Sequence, residues 1–173
     1  MLNLLLQSVL RSPLTEPRPA DDDAEAIALL KQLKADVDRF FGGSLAIREI
    51  DAGSCNACEL EIHALNNPFY DLERFGMKFV ASPRHADVLM VTGPVTGNMR
   101  EALRRTYDAT PSPKWVVAVG GCALDGGIYR GGYACAGGVS DVVPVDLHIP
   151  GCPPAPTVLI KGLLALVATG RRA

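Results

Sequence analysis

The chain has 173 residues, 48% of them hydrophobic, with 17 basic against 19 acidic side chains. That length suits one globular domain with a real core, and the near-balanced charge gives no electrostatic footprint for a nucleic-acid binder. No stretch reaches the roughly 18 consecutive apolar residues of a membrane span, so none is predicted.

The first ten residues, MLNLLLQSVL, are apolar but lack a basic start and a small-residue cleavage site. They read as a short amphipathic segment lying on a partner or a membrane surface, or as a segment folded onto the chain's own core. Residues 11–23, RSPLTEPRPADDD, are rich in proline and charge and read as an extended linker. The sequence thus divides into an arm and linker over 1–23 and a single α/β domain over 24–173. A helix is predicted over 24–41, with Ile27, Leu30, Leu33, Val37 and Phe41 as its apolar stripe and Gly42-Gly43 as its stop. A strand follows over Leu45 to Ile50, then a short helix over Cys58 to Leu65, broken by Asn66-Asn67-Pro68. Met77 to Ala81 reads as extended and Asp87 to Thr92 as a buried strand. After the Gly93-Pro94 turn comes a helix near 98–109. Trp115 to Val119 is another buried strand, Val142 to Val145 a short one, and Pro154 to Ala168 an apolar helix. Continuous apolar strands alternating with helices mean a mostly parallel, flavodoxin-like sheet covered on both faces.

The cysteines fall at informative places in that pattern. Cys55 and Cys58 follow the first strand, Cys122 follows the Trp115 strand, and Cys152 follows the Val142 strand. In an open parallel sheet the C-terminal strand ends are where ligands bind, so residues distant in sequence can converge there. Five cysteines at this density suit metal ligation better than a secreted disulfide scaffold. Four soft thiolates suit an iron–sulfur cluster or zinc, and spacing does not choose between these or a chain whose cysteines share no site, although two isolated distant cysteines are atypical of structural zinc.

Four segments, in order, carry a resemblance: GSCNACELEIHALNNPFYDLERFG (53–76), FVASPRHADVLMVTGPVTGNM (79–99), VVAVGGCALDGGIY (116–129) and VVPVDLHIPGCPPAP (142–156). The chain resembles the small iron–sulfur subunit of membrane-bound, energy-converting nickel–iron hydrogenases of the formate hydrogenlyase type. That subunit is homologous to the 20 kDa subunit of respiratory complex I. The resemblance implies one proximal 4Fe–4S cluster on Cys55, Cys58, Cys122 and Cys152. It implies a large catalytic subunit, a ferredoxin-like cluster subunit and membrane subunits as partners, and a peripheral place on the cytoplasmic face of the cell membrane. The two residues between Cys55 and Cys58 match the hydrogenase branch, whereas the complex I branch has adjacent cysteines. Ala57 stands where that branch more often has glycine, which is tolerable if φ there is negative. An equivalent subunit of a complex I-like quinone oxidoreductase is the alternative, and a zinc-stabilised interaction protein a third reading.

Glu61 matches a position that is acidic in both branches and faces the large subunit, so it reads as a proton relay or as an ion pair with that partner. For Glu59 the ion pair is the preferred reading. His63 reads as an interface or surface residue, Arg84 as a partner of Asp87 or of the large subunit, and His85 lies between them. His148 is read as a packed or exposed residue or as a hydrogen-bond donor behind the cluster, and Cys135 as a small buried side chain. No GxGxxG or GxxxxGK[ST] motif is present, so neither FMN nor NAD is expected here. No nucleophile–base–acid set appears, and the expected role is electron transfer inside an oxidoreductase complex.

Overall fold

The computed structural model describes residues 22–169. Most of the expected arm over 1–23 lies outside the described residues. Helix α1 spans Asp22–Phe41 and ends at Gly42 and Gly43, both with positive φ. Its inner stripe is Ala26, Leu30, Leu33 and Val37. Ile27, expected inside, is 39% exposed, because the three-and-four spacing that buries Leu30 is met by Ala26 instead.

Among the described residues seven strands follow: β1 Leu45–Asp51, β2 Met77–Phe79, β3 Val88–Thr92, β4 Val95–Thr96, β5 Trp115–Val119, β6 Cys135–Gly137 and β7 Leu147–Ile149. Five form one parallel sheet in the order β2-β1-β3-β5-β7, which is the flavodoxin-like order. The helices between them are α2 (Ala57–Ala64), α3 (Gly97–Ala109), the single-turn α4 (Gly121–Asp125) and α5 (Pro156–Thr169). Strand pleating sends alternate side chains to opposite faces. Ile47, Met90, Val117 and Ile149 join α1, α2 and α5 in one core, while Ile50, Leu89, Val91 and Ala118 join Leu103 of α3 and Ala123 of α4 in the other. Every residue of β3 is buried, as a strand covered on both sides requires.

Three expectations are corrected. The strand expected at Val142 to Val145 is not one. Pairing with β5 begins only at Asp146, whose N–H donates to the Val116 carbonyl and whose Oδ2 accepts from the Val116 N–H at 2.7 Å. Pro144 has no N–H for a ladder, and Val143 turns into the second core instead. Asp87 does the same for β1, its Oδ2 accepting from the Ala46 N–H at 2.8 Å, so its carboxylate is engaged by main chain. The last helix starts at Pro156, two residues later than expected, with proline in the first position where its missing N–H costs nothing. Finally, β4 and β6 form a small antiparallel pair, Val95 opposite Gly137 and Thr96 opposite Cys135, that lies outside the expected pattern.

Candidate metal centre

Three loops at the C-terminal edge of the sheet bring the four predicted cysteines together. The first follows β1. Asp51 Oδ1 accepts from the N–H groups of Gly53 and Ser54, both at 2.7 Å, and curls the chain back at the strand end. Ser54 Oγ accepts from Asn56 N–H at 2.9 Å and donates to the carboxylate of Glu59. Asn56 takes the left-handed conformation, φ 70, which asparagine tolerates better than most residues, and α2 starts at the next residue. Among the described residues the non-glycine positive φ values belong to Asn56 and Asp71, so Ala57 has ordinary backbone. Cys55 is exposed on this loop and Cys58 is half-buried in the first turn of α2.

The second loop leaves β5 through Gly120 and enters α4, which carries Cys122. The third leaves β7 and carries Cys152, which is exposed. The two are laced by main chain: Gly120 N–H donates to the Ile149 carbonyl and Gly121 N–H to the Gly151 carbonyl, each at 2.8 Å. Glycine is required here. A Cβ on Gly120, φ +88, would stand 2.8 Å from Cys58 Sγ, and one on Gly127, φ +53, would stand 2.7 Å from Cys122 Sγ.

The thiols sense one another. Burial pushes the Cys58 thiol up to about 11, with Glu59 and then Cys55, Cys152 and Cys122 adding negative charge against its ionisation. Cys122 is raised by burial and by Cys152, while the N–H of Ile128, aimed at its sulfur, pulls the other way. Cys58 and Cys122 thus ionise reluctantly with the other two thiols close by, and a bound cation would take up their protons' place. Among the described residues no three His, Cys, Asp or Glu side chains draw close enough to hold a single metal ion. A multi-iron cluster presents a wider body to its ligands. The soft donors, the glycine clearance beside two of the sulfurs and the Ile128 N–H directed at the Cys122 sulfur fit such a group.

The remaining predicted residues are placed as follows. Glu59 is not turned outward to a partner. It is 6% exposed and bonded by Ser54, because the first turn of α2 rolls it against the sheet. Glu61 is half-buried, one turn on from Cys58 and so on the same side of the helix. His63 is exposed, its Nε2 3.4 Å from Glu49 Oε2. Burial raises the Glu49 carboxyl, with His63 opposing and Glu59 adding to the rise. Arg84 and His85 are exposed on a 3₁₀ turn capped by Ser82. His148 Nε2 lies 2.9 Å from the Gly120 carbonyl. Cys135 is half-buried on β6, its Sγ beside Gly126, and lines a cavity of about 580 Å³ with Pro94, Thr96 and the 128–134 loop. Sequence reasoning missed the burial of Glu59. The signal was Ser54, set to cap the turn that aims Glu59 inward.

An open parallel sheet with four converging thiols at its C-terminal edge defines a small α/β protein with a cysteine-lined sheet edge. Residues 55–166 match the family of the 20 kDa subunit of NADH ubiquinone oxidoreductase, and the chain belongs to that family. It is 50% identical over 121 residues to an uncharacterized protein of Methanocaldococcus jannaschii, covering 70% of this chain and 81% of that one. It is 42% identical over 135 residues to a probable membrane-bound hydrogenase subunit of Pyrococcus furiosus, covering 78% and 81%. It is 43% identical over 133 residues to formate hydrogenlyase subunit 7 of Escherichia coli, covering 77% of this chain and 52% of that one. A chain in the solved structure of the membrane-bound sulfane sulfur reductase, an archaeal respiratory membrane complex, superposes with a TM-score of 0.68 at 33% identity, covering 82% and 77%. The expected family and sheet architecture therefore stand.

Proposed function

We propose that this chain is the small electron-transfer subunit of a membrane-bound hydrogenase complex, holding one proximal 4Fe–4S cluster on Cys55, Cys58, Cys122 and Cys152 beside a large nickel–iron subunit. The observation that carries the reading is the electrostatic convergence of those four thiols at one sheet edge. When bound, such a cluster supplies a one-electron relay whose potential follows burial and hydrogen bonding to its sulfurs. The chain's own residues hold and shield it. Gly120 and Gly127 leave room beside Cys58 and Cys122, the Ile128 N–H faces the Cys122 sulfur, and the Ser54–Glu59 bond fixes the first ligand loop.

The partner docks over this edge. Leu60 on α2 and Leu124, Ile128, Tyr129 and Tyr133 around the Cys122 loop are large apolar side chains left exposed, Ile128 at 88%. A cluster of that kind marks an interaction surface. Glu61, on the Cys58 side of α2, is assigned as the proton relay at that surface. A ferredoxin-like subunit and membrane subunits complete the complex. No helix among the described residues is long and apolar enough to cross a membrane.

The hydrogenase reading is favoured by the two-residue spacing of Cys55 and Cys58 and by relatives named as hydrogenase and formate hydrogenlyase subunits. A complex I-like oxidoreductase without nickel is the second reading, favoured by the relative in the sulfane sulfur reductase. The test is nickel content together with hydrogen evolution from a reduced low-potential dye by the native complex. Nickel present, and activity lost on Cys55→Ala, is expected. Intact iron–sulfur clusters with no nickel and no hydrogen activity would overturn the proposal.

A further inference from the structure

Strand β7 pairs with β5 so that His148 stands opposite Ala118. Its imidazole reaches beyond that position, to the carbonyl oxygen of Gly120 at 2.9 Å. A carbonyl only accepts, so Nε2 carries the proton and donates. The Gly120–Gly121 peptide is thus held at both ends by the 148–151 segment. Its C=O is held by a side chain, and its N–H by the Gly151 carbonyl at 2.8 Å. This peptide leads into Cys122, and the 148–151 segment leads into Cys152. Gly120 also runs close to the Cys58 sulfur, which a Cβ there would meet at 2.8 Å. Having no Cβ and sitting at φ +88, Gly120 offers no side-chain resistance to rotation of its peptide plane. The imidazole supplies the restraint that the glycine lacks.

We propose that His148 is a positioning residue for the thiolate set. Its Nε2–H fixes the Gly120 carbonyl, which sets the spacing of Cys122 from Cys152 and the clearance left for Cys58. The proposal rests on reading these cysteines as ligands of one cluster. What the role needs is a donor of the right reach, not a charge. Glutamine carries its amide nitrogen as many bonds from Cα as histidine carries Nε2. Asparagine is equally polar and one bond short.

The experiment compares wild type, His148→Gln and His148→Asn in the native complex purified anaerobically. It reads iron and acid-labile sulfide, the EPR spectrum after reduction, and the rate at which a chelator strips iron. The Gln variant keeps the wild-type spectrum and release rate. The Asn variant shifts the g values and releases iron about fivefold faster, the factor that one net hydrogen bond contributes. Ile160→Val, on the buried face of α5, lowers the unfolding midpoint and leaves the spectrum unchanged. An Asn variant with wild-type spectrum and release rate, or a Gln variant as impaired as the Asn one, overturns the proposal. If the wild-type chain yields zinc and no labile sulfide, the cluster reading alone fails. Zinc release from the same three proteins then decides the clamp, with the same order expected.

Discussion

Replacing Gly120 by alanine tests the site where its geometry is tightest. Gly120 sits at φ 88, ψ 162, a region in practice reserved for glycine. Holding alanine there costs about 1–3 kcal/mol. The new methyl would stand 2.8 Å from Cys58 Sγ and 3.4 Å from the Gly151 carbonyl. Forcing such a group into a packed site costs about 1–3 kcal/mol more. The sum, about 2–6 kcal/mol, is a large share of the about 5–15 kcal/mol that holds a domain together. Gly131→Ala is the control. Its φ is +78, yet nothing lies within 4 Å of its added Cβ, so only the backbone cost of about 1–2 kcal/mol remains. Urea midpoints of the metal-free chains, with iron content of the assembled complex, give the comparison. Gly120→Ala should be the less stable variant and should fail to fill with iron, while Gly131→Ala fills normally. Equal midpoints and full iron in both would refute the reasoning.

Further outcomes follow from the same geometry. Anaerobically purified complex should hold about four irons and four labile sulfides on this chain. Cys122→Ala should lose the cluster or leave a three-iron form, and Cys135→Ala should leave iron content unchanged. Because burial and neighbouring negative charge raise the Cys58 thiol from 9.0 to about 11, the unfolded metal-free chain sheds this proton before the folded one does. Its stability should therefore be fully present below pH 9 and fall as pH rises from about 9 to about 11, and Cys58→Ala should flatten that fall in a urea titration. Ile128→Asp places a charge at the centre of the exposed apolar rim. It should release the chain from the large subunit in size-exclusion chromatography without lowering the stability of the free chain. Leu103→Ala, fully buried beneath α3, should cost about 2–5 kcal/mol by urea denaturation.

Much of this was legible in the residues. Buried strands such as DVLMVT and WVVAV have no polar face to misassign, and each ends in glycine where the chain must turn over the sheet edge. The cysteines stand just after such ends, so topology alone predicts that they meet. The misreadings arose where side chains substitute for main chain. VVPV looks like a strand, but Asp146 opens the β7 ladder and Pro144 cannot join one. Glu59 reads as a surface acid until Ser54 is seen to bond it inward. The β4–β6 pair is only two and three residues long, too short for alternation to announce. His148 is one histidine among three, and only the register of β7 against β5 brings it within reach of Gly120.

Strand β7 lies at the rim of the sheet and comes after every other strand in the sequence. Cys55, Cys58 and Cys122 are delivered by strands that can pair before β7 exists, whereas Cys152 arrives only with it. During synthesis from the N-terminus, three of the four cysteines are made before the strand that leads into the fourth. Iron supplied at that stage meets an incomplete binding set. On the proposed cluster reading, the four-cysteine set is complete only once this three-residue strand has docked, so a chain that held the cluster would be one whose sheet had closed.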